Sequence, residues 1–137
     1  MTVYCDSSVL AKLYLDEPDS EEIEARARAA TLIATSSIAY AEVCAAFARC
    51  RRDGRLSDVE YRRVLRQFDA DWNAFLTVDV SDAIVRSAGA LAGQHVLRGA
   101  DAIQLASFEQ LLASAEGDDI EFLCADDLLY EASRNLG

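Results

Sequence analysis

Histidine is almost missing from this chain: one residue in 137, beside four cysteines that form no CxxC pair. Cys5, Cys44, Cys50 and Cys124 are too scattered for a zinc cluster of the usual Cys/His spacing. They also give no disulfide framework of the kind that staples small secreted domains, and they read as small buried apolar residues. Long apolar runs are absent too, so no membrane span is expected. The N-terminus has no basic region followed by an apolar stretch, which excludes a secretory signal, and a cytoplasmic location is expected. Repeats, low-complexity tracts and linkers are lacking, so residues 1–137 are expected to form one domain. What is abundant is alanine and apolar surface, with 52% hydrophobic residues. A chain of this length buries roughly two thirds of its unfolded surface around one core.

Positive charge is also scarce. Thirteen Lys and Arg face 24 Asp and Glu, for a net charge of −11. That balance is wrong for a protein coated in nucleic acid, but the average conceals an asymmetry. Residues 49–66 hold Arg49, Arg51, Arg52, Arg55, Arg62, Arg63 and Arg66 against Asp53, Asp58 and Glu60, an excess of +4, which leaves −15 on the remainder. Such a segment either serves a polyanion locally or is a solvated helical surface laced with Arg–carboxylate pairs.

Short apolar runs alternate with helical repeats along the chain. "TVYC" (2–5), "TLIAT" (31–35), "FLTVDV" (75–80) and "IEFLCA" (120–125) read as strands. Helices are expected over 7–15, 19–30, from Ser36–Ser37 to Arg52, from Ser57 to Trp72, from Ser81–Asp82 to Gly93, over 101–115, and from Asp126 to Leu136. The residue before Pro18 disfavours helix and stops the first one. Asp53–Gly54 and the "GDD" at 117–119 mark turns, and Gly99 a break. Along the helix from Ser57, Tyr61, Leu65, Phe68 and Trp72 share one face. Strands alternating with helices mean a parallel sheet covered by helices, an α/β domain, with ligands at the carboxyl ends of the strands.

Four acids occupy places where an acid needs a reason. Asp6 follows the first strand in "VYCDSS" and is either the cap of the next helix or a ligand. Glu42 lies mid-helix with Ile38, Ala39, Ala45 and Ala46 one turn away, so its carboxylate either reaches water at the edge of the apolar face or points at the sheet. Asp101 shares a helical stripe with Leu105, Phe108 and Leu112. An acid on such a stripe is costly unless paired or metal-bound, although the positive end of a helix also favours it. Asp126 follows the last strand as Asp6 follows the first, with Asp127 beside it. Two unit charges about 5 Å apart repel by roughly 3 kcal/mol at an effective dielectric near 20, so four such groups in one pocket take up protons or bind a cation. Hard oxygens suit Mg²⁺ or Mn²⁺, which activate water and neutralise phosphate charge. Ser7 and Ser8 add hydroxyls and free N–H groups.

The stretches "VYCDSSVLAKLYLDEPDSE", "TSSIAYAEVCAAFAR", "LRGADAIQLAS" and "FLCADDLLYEAS" resemble, in order and rough spacing, those of PIN-domain ribonucleases, specifically the VapC-type toxins of toxin–antitoxin pairs. The likeness covers almost the whole chain. It implies a PIN-like three-layer α/β sandwich with a mainly parallel central sheet of four to five short strands. It implies an Mg²⁺- or Mn²⁺-dependent endoribonuclease that leaves 3′-hydroxyl and 5′-phosphate ends. The family's catalytic, metal-holding acids map onto Asp6, Glu42, Asp101 and Asp126. The implied partners are RNA, a second copy of the chain, and a VapB-type antitoxin that wraps the toxin and often sets a basic side chain in the acidic pocket. Lys12 and Arg98, near the acids in sequence, are candidate phosphate contacts, and the arginines of 49–66 are candidates for guiding the RNA backbone.

Two departures from the family stand out. Cys124 replaces the Thr or Ser usual two residues before the last acid, which bears on a second metal. The chain stops at Gly137 where the family often adds an edge strand. A catalytically inactive PIN-like module that acts by partner binding is the alternative reading. A phosphatase with an Asp-x-Asp pair is disfavoured because Ser8 stands where its second aspartate belongs.

Overall fold

A strand that ends on a capping residue hands the chain to a helix, and repetition of that unit stacks parallel strands side by side. The computed structural model describes residues 1–17, 21–114 and 119–136. Strand β1 (Thr2–Cys5) is followed by helices α1 (Ser7–Lys12) and α2 (Glu21–Ala29), then β2 (Leu32–Ser36), α3 (Ile38–Arg52) and α4 (Asp58–Trp72). Next come β3 (Leu76–Val78), α5 (Asp82–Gln94), α6 (Gly99–Ser114), β4 (Ile120–Leu123) and α7 (Asp127–Arg134). The expected helix stop at Pro18, the helix start at Asp19–Ser20, the end of a helix at Ala115, most of the 117–119 turn, and Gly137 lie outside the described residues.

The four strands are all parallel, in the order β3-β2-β1-β4. Strand β1 is therefore central between β2 and β4, with Tyr4 opposite both Ala34 and Phe122. Side chains of a strand alternate between faces, and here each face carries a core. Tyr4, Ala34 and Phe122 pack on one side with residues of α5, α6 and α7, including Ile84, Leu105 and Leu129. Val3, Cys5 and Leu123 pack on the other with residues of α1, α3 and α4, including Leu10, Phe47 and Phe68. The result is the expected three-layer α/β sandwich. An aromatic group fastens α4 to α3 and to the residues after α1. Phe68 meets Tyr14, Tyr40, Phe47 and Trp72 at centroid distances of 5.5–5.8 Å.

Local chemistry accounts for most boundaries. Ser57 and Glu60 form a reciprocal capping box at the start of α4. Gly54 turns the α3–α4 hairpin at φ +77, a conformation that favours glycine. Some expectations shift. Helix α1 ends at Lys12 rather than residue 15, and β3 is three residues long rather than six. Gly99 begins α6 instead of breaking the chain before it; glycine costs little at a first helical position, where its N–H has no partner inside the helix. Ser37 stands at the start of α3 without capping it. Its hydroxyl instead accepts from the backbone N–H of Val80 (3.2 Å), tying α3 to the residues after β3.

Candidate active site

The carboxyl ends of β1 and β4 lie side by side, with Cys5 in register with Leu123. Asp6 continues from β1, and its backbone N–H bonds the carbonyl of Leu123 (3.2 Å). Its side chain caps α1, with Oδ1 accepting from the N–H of Val9 (3.0 Å) and from the hydroxyl of Ser8 (2.8 Å). Asp126 repeats the arrangement after β4, where Oδ1 accepts from the N–H of Leu129 (3.0 Å) and caps α7. The two aspartates differ in burial, since Asp6 is only 6% exposed while Asp126 is open to solvent.

Glu42 and Asp101 reach the same end of the sheet from α3 and α6. Glu42, Asp101 and Asp126 line one cleft of about 630 Å³ with Val96, Leu97, Arg98, Ala100 and Leu128. Asp6 sits behind it. Burial pushes the Asp6 carboxyl up to about 6; the bonds from Val9 and Ser8 oppose this, and the charges of Asp101 and Glu42 add to it. The Asp101 carboxyl is also raised, by burial and by the neighbouring charges of Asp126 and Glu42, against the pull of the Arg98 side chain and its backbone N–H. Asp101 is thus within electrostatic reach of each of the other three acids, and Asp6 of Glu42, while Glu42, Asp101 and Asp126 line the cleft. Among the described residues no three Asp, Glu, His or Cys side chains gather closely enough to hold an ion between them. Their donors are carboxylate oxygens, which by hardness and charge fit a divalent cation of the Mg²⁺ or Mn²⁺ type.

The cap-or-ligand question posed by "VYCDSS" has a geometric form. The capping bonds of Asp6 go to Oδ1 alone, as does that of Asp126. Glu42 is held in the same way. Its Oε1 accepts from the hydroxyl of Ser7 (2.5 Å) and from the amide of Gln104 (3.3 Å). Capping and anchoring therefore leave the second oxygen of each carboxylate uncommitted to those bonds.

Cys124 does not stand in for a hydroxyl ligand. Burial and the charge of Asp6 push its thiol up to about 12, so it stays protonated at neutral pH, and the sulfur donates weakly to the backbone carbonyl of Asp126 (3.4 Å). Lys12 lies 4.0 Å from Glu17, whereas Arg98 lines the cleft. The arginines of 49–66 divide as well. Arg51 pairs with Asp58 across the hairpin turn (2.8 Å) and covers the Tyr61 ring, and Arg55 bonds the sulfur of Cys50. The other five are exposed. Pairing thus runs across the turn rather than along one helix.

Two residues at this site escape the sequence reading. Gln104 of α6 is 2% exposed, and Tyr4 of β1 is fully buried and donates to its Oε1 (2.6 Å). The sequence carries only a trace of this: Gln104 is the one polar residue in "AIQLA" (102–106). The structure adds that helix α6 is buried from Ala102 to Phe108 except at half-buried Ile103, and a glutamine inside such a helix requires partners.

A model of the PIN domain family matches residues 3–131 of the chain. Two relatives from Mycobacterium tuberculosis strains, Ribonuclease VapC45 and Ribonuclease VapC49, are each 36% identical to it over 105 residues. Those residues are 77% of this chain and 73% of each relative.

Proposed function

The chain belongs to the PIN-domain family, and from that premise we propose that it is a metal-dependent endoribonuclease, the toxin of a toxin–antitoxin pair. Asp6, Glu42, Asp101 and Asp126 are the catalytic acids and would close on an Mg²⁺ or Mn²⁺ ion from their places around the cleft. One observation carries the reading: Asp6, Glu42 and Asp126 are each anchored through a single oxygen. Anchoring of that kind fixes a carboxylate in place and leaves it able to ligate. The raised carboxyls of Asp6 and Asp101 point the same way, because a bound cation removes the repulsion and burial cost that raise them.

A divalent cation bound in this cleft would supply charge neutralisation at the scissile phosphate and lower the pKa of water. The chain's own residues do the rest. Asp6 and Asp126 are fixed by helix caps at the ends of adjacent strands, Glu42 by Ser7 and Gln104, and Asp101 by the first turn of α6. Arg98, exposed at the rim of the cleft, contacts a phosphate next to the one attacked. RNA is the substrate, a VapB-type antitoxin covers the cleft until the toxin is released, and the working form is a cytoplasmic homodimer. Among the described residues no helix is long and apolar enough to cross a membrane.

The test is purified protein mixed with total RNA in Mg²⁺ or in EDTA, beside an Asp6→Asn control. Cleavage in Mg²⁺ alone, lost in the control and leaving 5′-phosphate ends, is the expected result. Equal degradation in all arms sinks the assignment. Mapping the ends across cellular RNA after brief expression then identifies the substrate.

A further inference from the structure

We infer that Gln104 is a positioning residue of the site, oriented by Tyr4 and aiming the free oxygen of Glu42 at the cleft. The inference rests on the reading of Glu42 as a ligand and adds to it how this chain holds that side chain. Four residues from four separate elements or their ends form one chain of bonds. The Tyr4 hydroxyl donates to Gln104 Oε1 (2.6 Å). Gln104 Nε2 donates to Ser7 Oγ (2.9 Å) and to Glu42 Oε1 (3.3 Å). Ser7 Oγ passes its own hydrogen to Glu42 Oε1 (2.5 Å).

The direction of donation is fixed from the cleft end. A reversed amide would set an oxygen against the Glu42 carboxylate, so Nε2 faces Ser7 and Glu42. Oε1 then faces Tyr4, which is fully buried in the layer shared with α6 and donates to it. Two donors then converge on Oε1 of Glu42. Neither bond uses Oε2, which is left to the cleft that Glu42 lines. Buried polar side chains inside an apolar helix cost stability unless all their hydrogens are used. Here they are spent on an acid at the cleft rather than on the fold alone. Partners of this type, bonded to a ligand rather than to the metal, tune affinity by about 10- to 100-fold.

Gln104→Met keeps length and suits the apolar surroundings, and Tyr4→Phe removes only the hydroxyl. Each leaves one buried polar group without its partner, so both are expected to lower the thermal midpoint in metal-free buffer while staying folded at the assay temperature. Mn²⁺ should bind about 10- to 100-fold more weakly to Gln104→Met, with a smaller loss for Tyr4→Phe. The turnover rate on RNA should fall in step while KM stays within about two-fold, because the substrate is held elsewhere. Mn²⁺ affinity and turnover both at the wild-type level in folded Gln104→Met overturn the inference. A second readout needs neither metal nor activity. The side-chain amide signals of Gln104 in the metal-free protein should shift on Glu42→Gln and on Tyr4→Phe. Signals unmoved by both overturn the positioning role even if the enzyme is active. A wild type that binds no Mn²⁺ and cuts no RNA overturns the ribonuclease reading instead, and the amide signals still decide the role of Gln104.

Discussion

Asp6 and Asp126 are structural equivalents. Each follows one of two adjacent parallel strands, and each caps the next helix by accepting, through Oδ1, the N–H three residues on, at 3.0 Å in both cases. The pairing follows from the register that sets Cys5 beside Leu123. It means the charge of these residues can be removed without removing the cap, because asparagine caps about as well as aspartate. Asp6→Asn and Asp126→Asn are therefore expected to fold and to lose about 100-fold or more in RNA cleavage. Asp6→Ala loses the cap as well, at about 1 kcal/mol. Thermal melts beside cleavage assays check this, and an Asp6→Asn protein with wild-type activity contradicts it.

Burial gives Asp6 a pH signature. Its carboxyl is pushed from 3.8 to about 6 in the fold, so between those values the folded state keeps a proton that the unfolded chain has released. Stability contributed by this group is fully present below pH 3.8 and is lost as pH rises through about 6. At about 1.4 kcal/mol per unit, the loss is about 3 kcal/mol at neutral pH. Asparagine has no such proton. In metal-free buffer Asp6→Asn should match the wild type near pH 3.5 and exceed its stability by about that amount at pH 7. Mn²⁺ should then raise the midpoint of the wild type and leave the variant nearly unchanged. Parallel pH curves for the two proteins would falsify the assignment of this cost to Asp6.

The parts legible in the sequence were those written in local chemistry. Caps at Ser57, Ser81 and Asp126, the Asp53–Gly54 turn and the alternation of runs and helices place the elements within a few residues. The four acids stood out because each breaks a local pattern. Edge strand β3 was overdrawn: "FLTVDV" has strand character throughout, but only three residues pair with β2, and pairing is a tertiary fact. Gln104 was missed for a related reason. Its partners are 97, 100 and 62 residues away in sequence, and a lone glutamine in a helix reads as surface until the helix is known to be buried.

Cys124 offers a test by replacement. Its thiol is held protonated, pushed up to about 12, and donates to a backbone carbonyl at sulfur length, 3.4 Å. A folded protein should resist alkylation at this position at neutral pH while the same residue reacts in denaturant. Cys124→Ser supplies a harder oxygen and a shorter bond. Mn²⁺ titration should show affinity at least equal to that of the wild type, with any gain pointing to an added site beside Asp126. Weaker binding in a folded Cys124→Ser protein counts against this account.

Arg98 is a cation among the acids at the cleft, and it has two separable effects. Its charge opposes the rise of the Asp101 carboxyl, and its exposed guanidinium faces the solvent from which RNA approaches. Arg98→Ala removes both. Without the positive charge the Asp101 carboxyl rises further, so the acid limb of the cleavage profile should move to higher pH. Loss of one phosphate contact on a single strand should reduce the slope of log affinity against log salt by about 0.7. Arg98→Lys keeps a charge without the planar fork and should restore the slope more than the affinity. The two effects separate the roles. A changed slope with an unmoved pH profile assigns Arg98 to the substrate alone. A shifted profile with an unchanged slope assigns it to Asp101, and leaves the exposed arginines of α3 and α4 as the chain's contacts to the RNA backbone.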